Sequence, residues 1–249
     1  MKRRQRVRRG MLIVSLLLFP ITLYYLSPYV IIAGAAAGVV AGSMLVFGAQ
    51  FLSSLVFGRA FCGWLCPAGG LGECLLLAQD KPARGGRLNW IKYAIWAPWL
   101  AFVIWAIVLG GGLKAVDPLF MTQYGVSVSD AQGYIVYYIV ITLVVVLALT
   151  AGRRAFCHYI CWMAPFMIIG SRLTKAARIP VLHLAEDASK CIDCQRCSRA
   201  CSMSLDVQGM VRAGHMDHDE CILCGACVDA CPKEVLSLAF GRMPRRPLV

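Results

Sequence analysis

Cysteine carries the chemistry of this chain. Thirteen of its 249 residues are cysteine, and all but Cys74 stand in short-spaced groups. Cys191, Cys194, Cys197 and Cys201 follow the pattern Cys-x2-Cys-x2-Cys-x3-Cys, and Cys221, Cys224, Cys227 and Cys231 repeat it ahead of Pro232. In a bacterial two-cluster ferredoxin this spacing lets three soft thiolates converge from one loop while the fourth comes from the other half. The spacing therefore predicts one 4Fe-4S cluster on Cys191, Cys194, Cys197 and Cys231. It predicts a second on Cys221, Cys224, Cys227 and Cys201. Two structural zinc sites are the competing reading, but such sites rarely show this interleaved run. Ser202 stands where proline usually follows the fourth cysteine, which affects the turn rather than the ligation.

Two further pairs, Cys62-x3-Cys66-Pro67 and Cys157-x3-Cys161, sit at equivalent points of an internal repeat. Gly58-Arg59-Ala60-Phe61-Cys62 resembles Gly152-Arg153-Arg154-Ala155-Phe156-Cys157. Positions i and i+4 share one helix face, so each pair is expected to present two sulfurs side by side. A cubane needs four. The expectation is a third 4Fe-4S cluster at the membrane surface, shared by Cys62, Cys66, Cys157 and Cys161 on the pseudo-twofold axis. Two separate clusters completed by a partner chain, with Cys74 or His158 contributing, is the alternative. Four buried thiols acting as small hydrophobes is the plainest one.

The remaining candidates read as structural. Cys74 is expected to pack, His158 to make an ordinary hydrogen bond, and His183, His215 and His218 to lie in loops or on the surface. Trp64, Tyr159 and Trp162 read as interfacial anchors, and Arg59, Arg153 and Arg154 as determinants of topology, with a quinone site near them left open. No Cys-x-x-Cys-His occurs and no spanning segment holds histidine away from its ends, so no haem is expected. There is no nucleotide-phosphate loop, which argues against NADH as direct donor, and no residue is assigned a bond-making catalytic role.

The elements that position these cysteines are dictated by an apolar composition. Hydrophobic residues make up 59% of the chain and charged ones 15%, with a mean hydropathy of +0.67, values far from those of a soluble domain. Residues 11–58 carry no charge before Arg59, enough for two spanning helices turning at Ser27-Pro28. The uncharged runs 93–113 and 131–152 each match one more. The predicted fold is a membrane all-α four-helix bundle of two parallel-repeat hairpins over 1–180. A small C-terminal α+β two-cluster ferredoxin module follows over 181–240, then a tail over 241–249. No cleavage site follows Lys2 to Arg9, so the N-terminus is not read as a removed signal.

The net charge of +12 comes from basic residues beside apolar segments, without a nucleic-acid-binding motif. Six Lys and Arg flank the first apolar run, five fill the loop from Arg59 to Lys92, and five follow the last run, against Lys114 alone on the other side. The positive-inside rule then predicts both termini and the ferredoxin module in the cytoplasm of a multi-pass inner-membrane protein. The outer loop containing Asp117, Pro118, Leu119 and Phe120 is the expected contact for a periplasmic partner.

Phe61-Cys62-Gly63-Trp64-Leu65-Cys66-Pro67, its second copy at Cys157 to Cys161, and the run from Cys191 to Pro232 together resemble the NapH-like membrane ferredoxins. These are the quinol-dehydrogenase membrane components of periplasmic nitrate reductase systems and their methylamine-utilisation counterparts. More distantly they resemble the membrane cores of nitrous oxide reductase regulators and of a copper-oxidase assembly factor. The resemblance spans nearly the whole chain, with one departure: Trp162 stands where proline is expected, and Pro165 comes three residues late. It implies an electron-transfer subunit of a quinol-linked oxidoreductase complex, exchanging electrons between quinone or quinol, its own clusters and partner redox subunits. An assembly or regulatory protein that reduces a metal or cofactor during maturation of another enzyme is the alternative.

Overall fold

A computed structural model describes residues 2–242, which are mostly helical, with two short sheets and several loops. Helix α1 (Arg3–Leu17) is followed by the single turn α2 (Phe19–Thr22) and by α3 (Pro28–Ala36). Strand β1 (Val39–Ala41) leads into α4 (Gly42–Phe57), and the short α5 (Ala60–Trp64) into α6 (Pro67–Leu75). Helix α7 (Ile91–Leu109) is followed by β2 (Ala115–Asp117) and α8 (Ala131–Ala151). The second short helix α9 (Ala155–Tyr159) precedes α10 (Ala164–Ala176).

The two later apolar runs form helices as expected. The helix 86–109, whose regular part is α7, and α8 are each long and apolar enough to cross a membrane. Both expose large side chains along their length, including Ile104, Trp105 and Val108 of α7 and Ile135, Tyr138 and Ile139 of α8. Apolar surface of this extent is stable only when lipid or another chain covers it.

The first apolar run differs from expectation. Instead of two helices of about 20 residues, residues 11–58 hold the end of α1, the single turn α2, α3 and α4, of which α4, with 16 residues, is the longest lying wholly within the run. Two prolines account for part of this: Pro20 lacks the N–H needed to continue α1, and Pro28 starts α3 at the expected turn after Ser27. Gly38, with φ of 68°, then lets the chain reverse. The freed backbone pairs in register with β2, Val39 to Ala115 through Ala41 to Asp117, in a parallel ladder. Among the described residues, two helices rather than four have spanning length.

The C-terminal module is closed by β3 (Val181–Glu186) pairing antiparallel with β4 (Leu236–Gly241), Val181 opposite Gly241 and Glu186 opposite Leu236. Between them lie the short helices α11 (Arg196–Arg199), α12 (Val207–Arg212) and α13 (Ala226–Ala230). Leu184, Met203, Val211, Ile222 and Leu236 form its buried core. Gly241 closes β4, so the expected tail begins later, and its residues 243–249 lie outside the described residues.

Candidate iron-sulfur centres

Two cavities of the C-terminal module are walled by the ferredoxin cysteines. One, of ≈ 360 Å³, is lined by Cys191, Cys194, Cys197 and Cys231 with Val211, Pro232 and Leu236. The other, of ≈ 390 Å³, is lined by Cys201, Cys221, Cys224 and Cys227 with Met203, Val207 and Ile222. Each cavity thus gathers three cysteines of one run and the last of the other. The loops achieve this with left-handed backbone at Asp193, Gln195, Leu223 and Gly225, which turns successive cysteines toward a common centre. Burial pushes the Cys197, Cys201 and Cys227 thiols up. A bound cation reverses that preference, because a coordinating thiol is deprotonated outright. Among the described residues, no three His, Cys, Asp or Glu side chains gather tightly enough to hold a single metal ion. The thiols surround cavities instead.

The internal repeat is reproduced in local structure. Helices α4 and α8 end at Gly58 and Gly152, both with positive φ. The five-residue helices α5 and α9 then carry Cys62 and Cys157. Cys66 occupies the N-cap position of α6, and Cys161 stands two residues before the N-cap of α10. A helix N-terminus favours the thiolate form. The expected sharing of one helix face does not occur, since Cys62 lies in α5 and Cys66 beyond its end. Pro67 is the reason: the residue before proline is driven to extended backbone, and Cys66 has ψ of 123°. In the second copy the late Pro165 delays α10 to Ala164.

All four of these cysteines are buried, with 3–6% of their surface exposed, and they lie together. Burial first, and then the nearness of Cys62, Cys157 and Cys161, raises the Cys66 thiol well above its ordinary range. The Cys62 sulfur is also 3.6 Å from the Met167 sulfur of α10. Cys74, expected to pack, is instead exposed.

The two sets of cysteines adjoin through an unusually close contact. A Cβ on Gly63 would collide with the Ile222 carbonyl and stand 3.4 Å from the Cys224 Cα, so only glycine lets α5 seat on this loop. The Trp64 indole donates to the Leu223 carbonyl at 3.1 Å, and the Gln5 amide donates to the Cys224 carbonyl at 3.1 Å. Cys62-Gly63-Trp64 therefore rests directly on Ile222-Leu223-Cys224. The cavity with Cys201, Cys221, Cys224 and Cys227 is the one facing the four buried cysteines.

Several side chains behave differently from the sequence reading. Arg59 and Arg154 are each only 2% exposed. Arg59 pairs with Glu220 at 2.9 Å, and Glu220 also binds Lys92; Arg154 pairs with Glu73 at 3.0 Å, and Glu73 binds Arg8 at 2.9 Å. Burial by itself would raise the Glu73 carboxyl, but Arg154 and Arg8 hold it below its usual range. Both arginines are thus held in internal ion pairs, and Arg8, Glu73, Lys92 and Glu220 were not among the expected site residues. One signal was available: Glu73 is the first acidic residue of the chain, isolated in an apolar stretch.

Trp64, Tyr159 and Trp162 bond backbone carbonyls of Leu223, Arg84 and Leu26, fixing loops to one another. His158 is 1% exposed, with Nε2 3.1 Å from the Met203 carbonyl and Nδ1 3.0 Å from the Asn89 amide. Burial drives its pKa down to about 4, so it is a neutral tether. The Met203 carbonyl can only accept, so the single proton of the neutral ring lies on Nε2, and Nδ1 accepts from the Asn89 amide when that side chain is turned to present its N–H₂. His183, expected in a loop or on the surface, is a buried residue of β3 whose Nδ1 lies 2.9 Å from the Val181 carbonyl.

Comparison with known proteins agrees with this geometry. A family described as a 4Fe-4S binding domain matches twice, over residues 30–83 and 132–179, which are the two copies of the repeat. A second, described as a 4Fe-4S dicluster domain, matches residues 157–236. MJ0749 of Methanocaldococcus jannaschii is 28% identical over 75% of this chain and 66% of its own length. YccM of Escherichia coli (strain K12), assigned by its name to electron transport, is 28% identical over 82% of this chain and 57% of its own. The regulatory protein NosR of Pseudomonas aeruginosa is 30% identical over 72% of this chain and 26% of its own. The match thus spans less than two thirds of the first two of these relatives. No solved structure matches the chain. On these matches, the chain is an iron-sulfur protein that carries 4Fe-4S ferredoxin-type domains in both its apolar and its C-terminal part.

Proposed function

We propose that the chain is a membrane-bound electron-transfer subunit of the NapH-like kind, exchanging electrons between the quinone pool and partner redox proteins. Cys191, Cys194, Cys197 and Cys231 hold one 4Fe-4S cluster in this reading, and Cys201, Cys221, Cys224 and Cys227 a second. Cys62, Cys66, Cys157 and Cys161 hold a third. Each cluster, when bound, accepts and releases one electron at a time.

The observation that carries the reading is the seat of Cys62-Gly63-Trp64 on Ile222-Leu223-Cys224. It puts the repeat cysteines between the apolar helices and the ferredoxin loops, in series with one ferredoxin cavity rather than beside both. An open, partly aromatic groove supports a lipid-side partner: Phe47, Trp99, Phe166 and Val103 line it between α4, α7 and α10. Phe166 adjoins Met167, whose sulfur meets Cys62. A lipid-soluble aromatic quinone matches such a wall.

The orientation also belongs to this proposal, with both termini cytoplasmic. In its favour, basic residues from all three inner segments meet the C-terminal module. Arg4 pairs with Asp229, Arg59 and Lys92 with Glu220, Arg172 with Asp219, and Lys175 with Asp217.

The test is anaerobic reconstitution in lipid vesicles followed by a quinol, read by electron paramagnetic resonance. Quinol is expected to reduce the centres in the purified chain. Centres that dithionite reduces but quinol does not would contradict quinol exchange and favour the alternative, a protein that delivers electrons during maturation of another enzyme.

A further inference from the structure

The two buried ion groups are related by the internal repeat. Arg59 and Arg154 occupy the same repeat position, three residues before Cys62 and Cys157. Each reaches a glutamate that also binds a second buried cation, Lys92 in one group and Arg8 in the other. Each group therefore combines two cations with one carboxylate and carries a net charge of +1. A buried net charge is strongly disfavoured unless an opposite charge faces it.

Both groups border the four cysteines. The Arg154 guanidinium donates to the Cys62 carbonyl at 2.9 Å and to the Gly69 carbonyl at 3.2 Å. The Arg59 carbonyl accepts from the Cys62 N–H at 3.1 Å. Buried donors are also left over: among the described residues, Arg59 Nε and Nη2 and Arg154 Nε have no hydrogen-bond partner. Such donors in native interiors call for an acceptor. A cubane on four thiolates is anionic, with sulfur acceptors on every side, and so meets both requirements.

We infer that the triads Arg59–Glu220–Lys92 and Arg154–Glu73–Arg8 are the electrostatic counterweight of the four-cysteine centre, raising its reduction potential above that of the same ligands in an uncharged site. Burial alone disfavours adding an electron to an anionic group, and fixed positive charge on two sides opposes that effect. The residues are positioning residues, and the inference rests on the proposed third centre.

The experiment is a redox titration of the purified chain with iron counted in the same preparation. Lys92→Gln removes a charge while leaving an amide to bond Glu220, and Arg8→Gln does the same in the other triad. Each is expected to lower the reduced-to-oxidised ratio of the membrane-surface centre at a given potential by about tenfold. For one electron that is a shift of about 59 mV to lower potential. Lys92→Arg should restore the wild-type potential. Iron loss in Lys92→Gln that Lys92→Arg repairs would also support the inference. An unmoved potential, or iron loss that Lys92→Arg leaves unrepaired, would overturn it. Wild-type protein with only the two ferredoxin centres would instead sink the reading on which it rests.

Discussion

Glu73→Ala is expected to destabilise the folded chain by about 3–5 kcal/mol, the cost of removing one partner from a buried charge pair. Among the described residues, Glu73 is the only carboxylate bonded to Arg8 and Arg154, which are each only 2% exposed. Without it, two guanidinium groups confront each other inside the protein. By contrast, Asp187→Ala breaks the solvent-screened pair with Lys190 and should leave the unfolding midpoint nearly unchanged. Thermal unfolding of both variants in the same detergent checks this. A Glu73→Ala midpoint indistinguishable from that of Asp187→Ala would mean that the triad contributes nothing.

Cys231→Ser is expected to remove the centre walled by Cys191, Cys194 and Cys197, and to leave its sequence neighbours Cys221, Cys224 and Cys227 with theirs. The cavity geometry states the reason, since Cys231 lines the first cavity and Cys201 the second. About four of the bound irons should go, together with one set of paramagnetic signals. The signals that remain should be those that Cys201→Ser abolishes. Loss of the same signals in both variants would refute the crossed arrangement.

The ferredoxin module was readable because its information is local. Two-residue spacers and left-handed turns at Gln195 and Gly225 determine where the sulfurs point, whatever surrounds them. The repeat was readable too, since Phe61-Cys62 and Phe156-Cys157 stand at the same place after two apolar helices.

What hydropathy could not reveal was the break-up of residues 11–58. A run that is apolar throughout looks the same whether its backbone forms two long helices or several short ones, and Pro20 and Gly38 hinted at the difference. The ion-pair partners of Arg59 and Arg154 were hidden for a related reason. Basic residues at the end of a spanning helix normally lie in water, and their glutamates are 161 and 81 residues away in sequence. Pairing at that distance leaves no periodic trace. The helix-face argument for Cys62 and Cys66 failed at Pro67, a local signal that outweighed the i, i+4 rule.

Iron and acid-labile sulfide analysis of anaerobically purified protein tests the shared four-cysteine centre most directly. Three cubanes require about twelve irons per chain. Cys62→Ser and Cys157→Ser, on different copies of the repeat, should each lower the count to about eight by removing the same centre. A wild-type preparation that holds about eight irons, unchanged by either substitution, would contradict the account.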